Sequence, residues 1–441
     1  MATAVQGRPE GERNGRGGRD ERDGAEGEPG DGRGHGRAEA RGAAVFWRYW
    51  GASTVSGVGD AVTAVALPLL AVLVLHASAF QVSLITAASY AAWIVIGLPA
   101  GVLVHRLPLR GTQVAMDLVR AVAVASVPVA GAFGALSLAQ LIAVALVVGL
   151  ASVVFDVGTS TFLPSIVGKD ELTARNSLTS GTRAATQLGG PSLGGVLVQV
   201  LGAAASVVVD AVSYVLSAVL MASLPRVGHP AQEGPRRGMG EMIREGWRYV
   251  VRHPVIGPCA ADATAVNFVC GGLMALTPVF LVRTLEAPPA LVGLLIATEG
   301  IGTLIGAALT PRVAARLGTG RALRWAAVAA PCFAVLLPLS GHAAGLAVFA
   351  LGNAGFAAAV VVTSIVTRTY RQTATPPELL PRVMATVRFI SWGAIPFGAL
   401  AAGTAAALCG NRASLALLAV LSLISPAVLL ASPVRRMRDL A

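Results

Sequence analysis

Lysine is almost missing from this chain: one, Lys169, stands against 33 arginines in 441 residues. Charge of either sign is scarce too, at 13%. A soluble protein carries about twice that fraction, so the two or three soluble domains that the length alone suggests are excluded. The lysine deficit, with abundant alanine and glycine, fits a GC-rich genome and carries nothing about mechanism. The four cysteines, Cys259, Cys270, Cys332 and Cys409, lie in apolar runs without metal-ligand spacing. They read as packing residues, and no structural disulfide is expected. The six histidines form no ligand cluster, so no metal or cofactor is expected. No Gly-x-x-x-x-Gly-Lys run marks a P-loop, and no nucleophile stands beside a base, so the chain does not read as an ATPase or other enzyme. The first 43 residues have almost no large apolar side chains. They lack the core of a signal peptide and predict a disordered, solvated tail.

Apolar residues, in contrast, make up 54% of the chain. They gather into twelve runs, near 47–75, 80–104, 112–133, 137–161, 177–201, 203–224, 256–283, 288–311, 321–341, 343–367, 383–408 and 412–432. A run of about twenty such residues spans a bilayer as a helix. Phe46-Trp47-Arg48-Tyr49-Trp50 supplies an interfacial aromatic anchor at the first. The net charge of +11 could suggest nucleic acid, so its placement matters. The first 43 residues hold 8 arginines and 9 acids, leaving 26 basic and 14 acidic residues for the rest. Of those 26, 21 fall in segments on one side of the twelve spans, and only Arg283 and Arg412 on the other. That bias marks the basic side as cytoplasmic. The expected molecule is a multi-pass, monomeric protein of the inner (plasma) membrane with both termini in the cytoplasm and no nucleic-acid partner.

The segment between Pro225 and Pro254 separates six spans from six. Within it Met239, Met242, Ile243, Trp247, Val250 and Val251 share one helical face, with Glu241, Arg244, Glu245, Arg248 and Arg252 mostly on the other. This predicts an amphipathic helix on the membrane surface. The expected organisation is a tail (1–43), a six-helix bundle (44–224), a linker (225–255), a second bundle (256–432) and a short tail (433–441).

The organising stretch is Gly190-Pro191-Ser192-Leu193-Gly194-Gly195 in the fifth run. Pro191 removes a backbone donor and bends the helix. Gly190, Gly194 and Gly195 admit a neighbouring helix close to the backbone. Arg183 precedes Pro191 by eight residues, and Arg388 precedes Pro396 by eight in the eleventh run. Glu171-Leu172 and Arg175 match Glu378-Leu379 and Arg382, and the loop from Gly101 to Arg110 is echoed from Gly306 to Arg316. Corresponding Gly/Pro-interrupted helices in two halves point to a secondary transporter built from repeats. Taken alone, the stretch also fits a tightly packed helix pair that does not move.

These residues resemble the major facilitator superfamily. Gly101-Val102-Leu103-Val104-His105-Arg106 with Arg110 looks like its loop signature, and the Gly-Pro-x-x-Gly-Gly stretch looks like the antiporter motif of its drug exporters. The macrolide-efflux and enterobactin-exporter branch is most similar. Its pattern is matched by Ser56-Gly57-Val58-Gly59-Asp60, Asp117-Leu118-Val119-Arg120-Ala121, Phe162-Leu163-Pro164-Ser165-Ile166-Val167, Glu171 to Ser177, Glu245-Gly246-Trp247-Arg248-Tyr249 and Pro381-Arg382-Val383-Met384-Ala385. The resemblance covers residues 44–440. It implies an all-α membrane protein with twelve transmembrane helices in two pseudo-symmetric six-helix bundles. It also implies efflux of an amphipathic small molecule, an antibiotic or siderophore, by proton antiport. One departure stands out: His105 occupies the place of the signature Asp, whose carboxylate latches the cytoplasmic gate in the family. A neutral imidazole predicts a weaker latch, or one that responds to pH near neutrality.

A charge near the bilayer centre costs about 3 kcal/mol or more, so each one needs a reason. Six acids lie within the runs: Asp60, Asp117, Asp156, Asp210, Asp262 and Glu299. Asp117 and Arg120 are three apart on one helix and can pair, with a structural or gating role. Arg183 and Arg388 can snorkel to the surface. Asp156 and Asp210 are expected near span ends, within reach of water. Asp60, beside Gly57 and Gly59, and Glu299, beside Gly300 and Gly302, sit near mid-span and are the candidate proton-coupling residues. Asp60 could equally be a structural hydrogen-bond acceptor. Asn267, Phe268 and Asn353 are candidate substrate contacts, with interhelical packing the alternative for the asparagines. The gating set is His105, Arg106, Arg110, Asp117, Arg120, Arg183, Gly190, Pro191, Gly194, Gly195 and Arg388. An uptake symporter of the same fold and a membrane scaffold or sensor are the competing readings. An apolar cavity with a few acids would suit neutral or cationic compounds.

Overall fold

The computed structural model describes residues 32–97, 107–167, 171–226, 239–341, 344–376 and 378–440. His105 and Arg106 lie outside the described residues. Two compact units divide at Arg41, and residues 42–441 form the larger. Among the described residues the chain is helical, without strands. The helices are α1 (Gly32–Leu73), α2 (Ala79–Ile96), α3 (Leu109–Ala132), α4 (Leu138–Ile166), α5 (Leu172–Leu201) and α6 (Ala203–Ala222), then α7 (Met239–Arg252). The second set is α8 (Ile256–Arg283), α9 (Pro289–Leu317), α10 (Thr319–Ala334), α11 (Leu336–Leu339), α12 (Ala344–Ala374), α13 (Leu380–Cys409), α14 (Asn411–Leu421) and α15 (Ile424–Ala431).

Among the described residues eleven stretches are long and apolar enough to cross a membrane, α10 with α11 and α14 with α15 each counting as one. The twelfth, α5, has 30 residues but carries Arg175, Arg183, Gln187 and several Ser and Thr. Its polarity is the first sign that it faces something other than lipid. Large exposed apolar side chains such as Val122, Val200, Val212 and Leu408 give the outside a surface suited to lipid. Cys332 and Cys409 are exposed rather than packed, whereas Cys259 is buried.

Within the first set α3 packs on α4 and α6, and α2 on α4; within the second α13 packs on α8, and α12 on α9 and α10. The two sets meet through α5 with α9, α2 with α13, and α2 with α8. Most helix starts and ends divide these contacts between a basic end, where α1, α3 and α5 begin, and an opposite end. At the opposite end Arg283 Nη2 donates to the Ala77 carbonyl at 2.6 Å, joining the tip of α8 to the α1–α2 turn.

The linker helix α7 forms where the amphipathic pattern predicts it. It docks on α13 through Gly246, where an added Cβ would lie 3.0 Å from the Arg382 carbonyl oxygen, and through a Glu245–Arg382 ion pair. Val250 is buried, but Trp247 and Val251 remain exposed. The apolar face is therefore split: one edge packs against protein, and the other is exposed.

Candidate functional site

Asp60 is held on α1 by a local sequence that lets two helices nearly touch. A Cβ on the preceding Gly59 would fall 2.0 Å from Ser213 Oγ and 2.2 Å from Asp210 Oδ1, so only glycine admits α6 this closely. The approach brings the Tyr214 hydroxyl to Asp60 Oδ1, to which it donates a hydrogen bond. Arg120 Nη1 of α3 stands 3.8 Å from the same oxygen. Arg120 Nη2 bonds Asp117 Oδ1, and Ser217 Oγ donates to Asp117 Oδ2 at 2.7 Å. The guanidinium lies against the rings of Phe155 (4.2 Å to the centroid) and Tyr214 (4.4 Å). Accessibility divides this network sharply. Asp117 and Arg120 side chains are 0% and 1% exposed, whereas the Asp60 carboxylate is 45% exposed. Two unit charges 3.8 Å apart attract by about 4 kcal/mol at an effective dielectric constant near 20. One accessible carboxylate is thus wired to a buried ion pair.

The pairing of Asp117 with Arg120 is as the three-residue spacing predicts. Its attachment to Asp60 through Tyr214 and Arg120 is not foreseen by the sequence reading. A signal exists: Asp210, Ser213, Tyr214 and Ser217 recur at three and four residues along α6 and form one polar stripe. Asp210 itself corrects an expectation. It is buried, with Ser213 Oγ 3.1 Å from its Oδ1, rather than reaching water. Its place in the span is shielded because Gly59 draws α1 over it.

Glu299 of α9 is exposed and lies near Tyr90 of α2 and Cys270 of α8, close enough to interact electrostatically with both. It therefore faces the space between the two sets of helices. Asn353 donates to the Leu295 carbonyl at 3.3 Å and to Thr298 Oγ1 at 3.0 Å, tying α12 to α9. Asn267 donates to the Ala263 carbonyl on its own helix at 2.7 Å. The Phe268 backbone is the close neighbour of Gly398, whose Cβ would meet its carbonyl oxygen at 1.8 Å. All three candidates thus make packing contacts, and each stays half-buried.

The glycine motif of α5 divides its faces. A Cβ on Gly190 would strike Ala61 Cβ at 2.2 Å, and one on Gly194 would come within 3.2 Å of the Val62 backbone, both on α1. A Cβ on Gly195 would instead meet the Pro289 carbonyl oxygen at 2.5 Å and Gly293 Cα at 2.8 Å, on α9. One helix thus grips Asp60's neighbours on one side and the second half of the molecule on the other. The helix runs unbroken through Pro191, whose carbonyl lies against Gly293. Arg110 Nη1 donates to the Leu224 carbonyl at 2.8 Å, just beyond α6.

Arg183 Nη2 stands 3.9 Å from Asp156 Oδ2 of α4, across the basic-end half. Asp156 in turn interacts electrostatically with Asp60, Arg120 and Arg388. Arg388 is exposed. Its guanidinium sits 4.1 Å from the Trp93 ring centroid and 4.3 Å from that of Trp392. The two indoles meet edge to face at 4.9 Å, across the α2–α13 contact. An apolar pocket of about 540 Å³ lined by Leu70, Pro128 and Ala204 lies at the opposite end and has no charged side chain in its wall.

The comparisons with known proteins bear on this arrangement. A family model described as transmembrane secretion effector matches residues 41–441. The multidrug efflux pump Tap of Mycolicibacterium fortuitum is 28% identical over 404 residues, covering 88% of this chain and 96% of Tap. An uncharacterized MFS-type transporter of Sinorhizobium fredii, y4rN, is 28% identical over 263 residues, or 59% of this chain. The chain spans 63% of that relative's length, less than two thirds. Among solved structures, the nucleoside transporter NupG superposes with a TM-score of 0.75 at 9% identity, covering 89% of this chain and 99% of NupG. A bacterial homologue of the lysosomal transporter Spinster, inward-facing and unoccupied, gives a TM-score of 0.68 at 14% identity, covering 88% of this chain and 96% of the other. At these identities the solved structures establish the fold: an all-α membrane protein with the two-bundle architecture of major facilitator transporters.

Proposed function

This chain belongs to the transmembrane secretion effector family of major facilitator transporters, and on that premise we propose that it exports an amphipathic small molecule from the cytoplasm in exchange for protons. Its family is one of membrane transporters, not enzymes, and the proposal places it in the plasma membrane. The observation that carries the proton half of the reading is Asp60: exposed itself, yet bonded to Tyr214 and 3.8 Å from the buried Arg120.

With Asp60 ionised, Arg120 is shared between two carboxylates, and Tyr214 donates to Asp60. A proton on Asp60 removes one of those charges. Arg120 then belongs to Asp117 alone, and the attraction drawing α1 towards α3 and α6 weakens. That change reaches the other half through α5, because Gly190 and Gly194 seat α1 while Gly195 seats α9. Protonation thus biases whether the α5–α9 contact at the opposite end is closed, which is the requirement for alternating access. Asp156 and Arg183 continue the polar track from Asp60 towards the basic end and give the proton a way out on the cytoplasmic side. Glu299 faces the same intervening space and is the second candidate. The similarity to the multidrug pump Tap supports export over uptake.

The test is drug accumulation in cells expressing the wild type, Asp60→Asn or Glu299→Gln, with and without an uncoupler. The reading predicts low accumulation in the wild type, raised by the uncoupler, and high accumulation in Asp60→Asn regardless of it. Efflux that survives both substitutions and the uncoupler removes proton coupling.

A further inference from the structure

Arg388 is the starting point. It lies eight residues into α13 and sits in the corner between the Trp93 and Trp392 rings, at 4.1 and 4.3 Å from their centroids. Among the described residues its guanidinium has no carboxylate within ion-pair distance and donates no hydrogen bond, and the residue is exposed. The two rings meet edge to face with centroids 4.9 Å apart, so together they flank one side of the guanidinium and leave it donors to offer a ligand. A guanidinium takes a planar oxyanion in two parallel hydrogen bonds.

The surroundings point the same way. Arg183 of α5 and Arg368 of α12 are close enough to Arg388 to interact with it electrostatically, as is Asp156. Arg183 stands at 3.9 Å from Asp156, and Arg368 is exposed. Arg183 and Arg388 both act on the Asp156 carboxylate, and Arg368 adds a third positive charge beside Arg388. These residues lie on four different helices, all in the basic-end half. At the helical rise of about 1.5 Å per residue, Arg388 and Arg183 sit roughly 12 and 17 Å in from the starts of α13 and α5. Like charges gathered at that depth call for a counter-anion, and the two indoles beside them offer flat apolar area.

We propose that Trp93, Arg388 and Trp392 form a substrate subsite that takes the carboxylate of an aromatic, amphipathic organic anion, with Arg183 and Arg368 supplying the surrounding positive field. This rests on the export reading and names its substrate class. It also reverses the expectation, drawn from the acids alone, of neutral or cationic compounds. Asp117 pairs with Arg120, Asp60 accepts from Tyr214 and Asp156 stands 3.9 Å from Arg183, while Glu299 keeps an acid in the same space. Beside the two indoles, Arg388 has no carboxylate within ion-pair distance among the described residues.

The experiment uses the full-length protein purified in detergent and two probes that differ only in the carboxylate, rhodamine B and its methyl ester. Binding is followed by fluorescence anisotropy at pH 7.5 for the wild type, Arg388→Gln, Arg388→Lys and, as a control on the exposed linker helix, Glu241→Gln, with size-exclusion profiles to confirm folding. The wild type is expected to bind rhodamine B at least fivefold more tightly than the ester. Arg388→Gln loses that preference, Arg388→Lys keeps part of it, and Glu241→Gln keeps it in full. A preference that survives in Arg388→Gln overturns the proposal, as does a wild type that favours the ester or binds neither dye. The same variants in proteoliposomes separate this from the export reading. Wild type that shows the Arg388-dependent preference but no proton-driven dye movement refutes export and leaves the subsite standing. Proton-driven movement with an unaltered preference in Arg388→Gln does the reverse.

Discussion

Adding one methyl group at Gly195 tests whether the α5–α9 contact is a closed gate. The new Cβ would lie 2.5 Å from the Pro289 carbonyl oxygen, where ordinary contact begins at 3.4 Å, so the helices must separate by about 0.9 Å. The other near atoms, Gly293 Cα and N at 2.8 and 2.9 Å, are also backbone and cannot rotate away. Such overpacking costs about 1–3 kcal/mol. The cost falls on the conformation in which α5 and α9 touch, so the equilibrium moves away from it by roughly 5- to 150-fold. Gln199 lies at this contact, its Oε1 3.4 Å from the Ala290 amide. In a background with the four cysteines replaced by serine, the labelling rate of Gln199→Cys by a polar maleimide reads the opening. Gly195→Ala is expected to raise that rate at least fivefold. Gly189→Ala is the control, since a Cβ there meets nothing within 4 Å. Equal rates in Gly195→Ala and the parent, or an equal rise in Gly189→Ala, would refute the gate.

Further outcomes follow from the same contacts. Asp117→Ala leaves Arg120 buried with only the Asp60 oxygen 3.8 Å away, and is expected to destabilise by roughly 3–5 kcal/mol; Asp117→Ala with Arg120→Leu should recover much of this in thermal unfolding in detergent, and an equal loss in both would contradict the pairing. Glu245→Gln removes the Glu245–Arg382 ion pair on the partly exposed linker, so it should cost under about 1 kcal/mol in the same assay; a larger loss would mean that α7 is held mainly by charge. His253, between α7 and α8, accepts the Val255 and Ile256 amide hydrogens on Nδ1 at 3.2 and 3.1 Å, and burial lowers its proton affinity. The charged form is penalised only in the fold, so local stability is present above the ordinary value near 6.5 and declines as pH falls below it. Hydrogen exchange at residues 255–257, corrected for intrinsic rate, should quicken between pH 7.5 and 5.5 in the wild type and stay flat in His253→Asn; a flat wild-type profile sinks the idea.

The parts of this molecule legible in the sequence are those written within one helix. Twelve apolar runs, the Asp117–Arg120 spacing, the paired Arg-to-Pro intervals of α5 and α13, and the α7 pattern all follow from a period near 3.6. What escapes is set by which helix meets which. Trp93 and Arg388 are 295 positions apart, and nothing in either run announces the other. The partner of Tyr214 lies on another helix and is reached only because Gly59 draws α6 against α1. The position of Asp210 along its run suggests contact with water, but burial depends on the neighbour's side-chain size as well as on depth.

The most direct measurement compares two kinds of transport by Asp60→Asn in proteoliposomes loaded with rhodamine B. Exchange of dye for dye needs no net proton movement, while accumulation driven by an imposed pH gradient does. The account predicts that Asp60→Asn retains exchange and loses gradient-driven accumulation. A variant that accumulates dye against its gradient as the wild type does would contradict it.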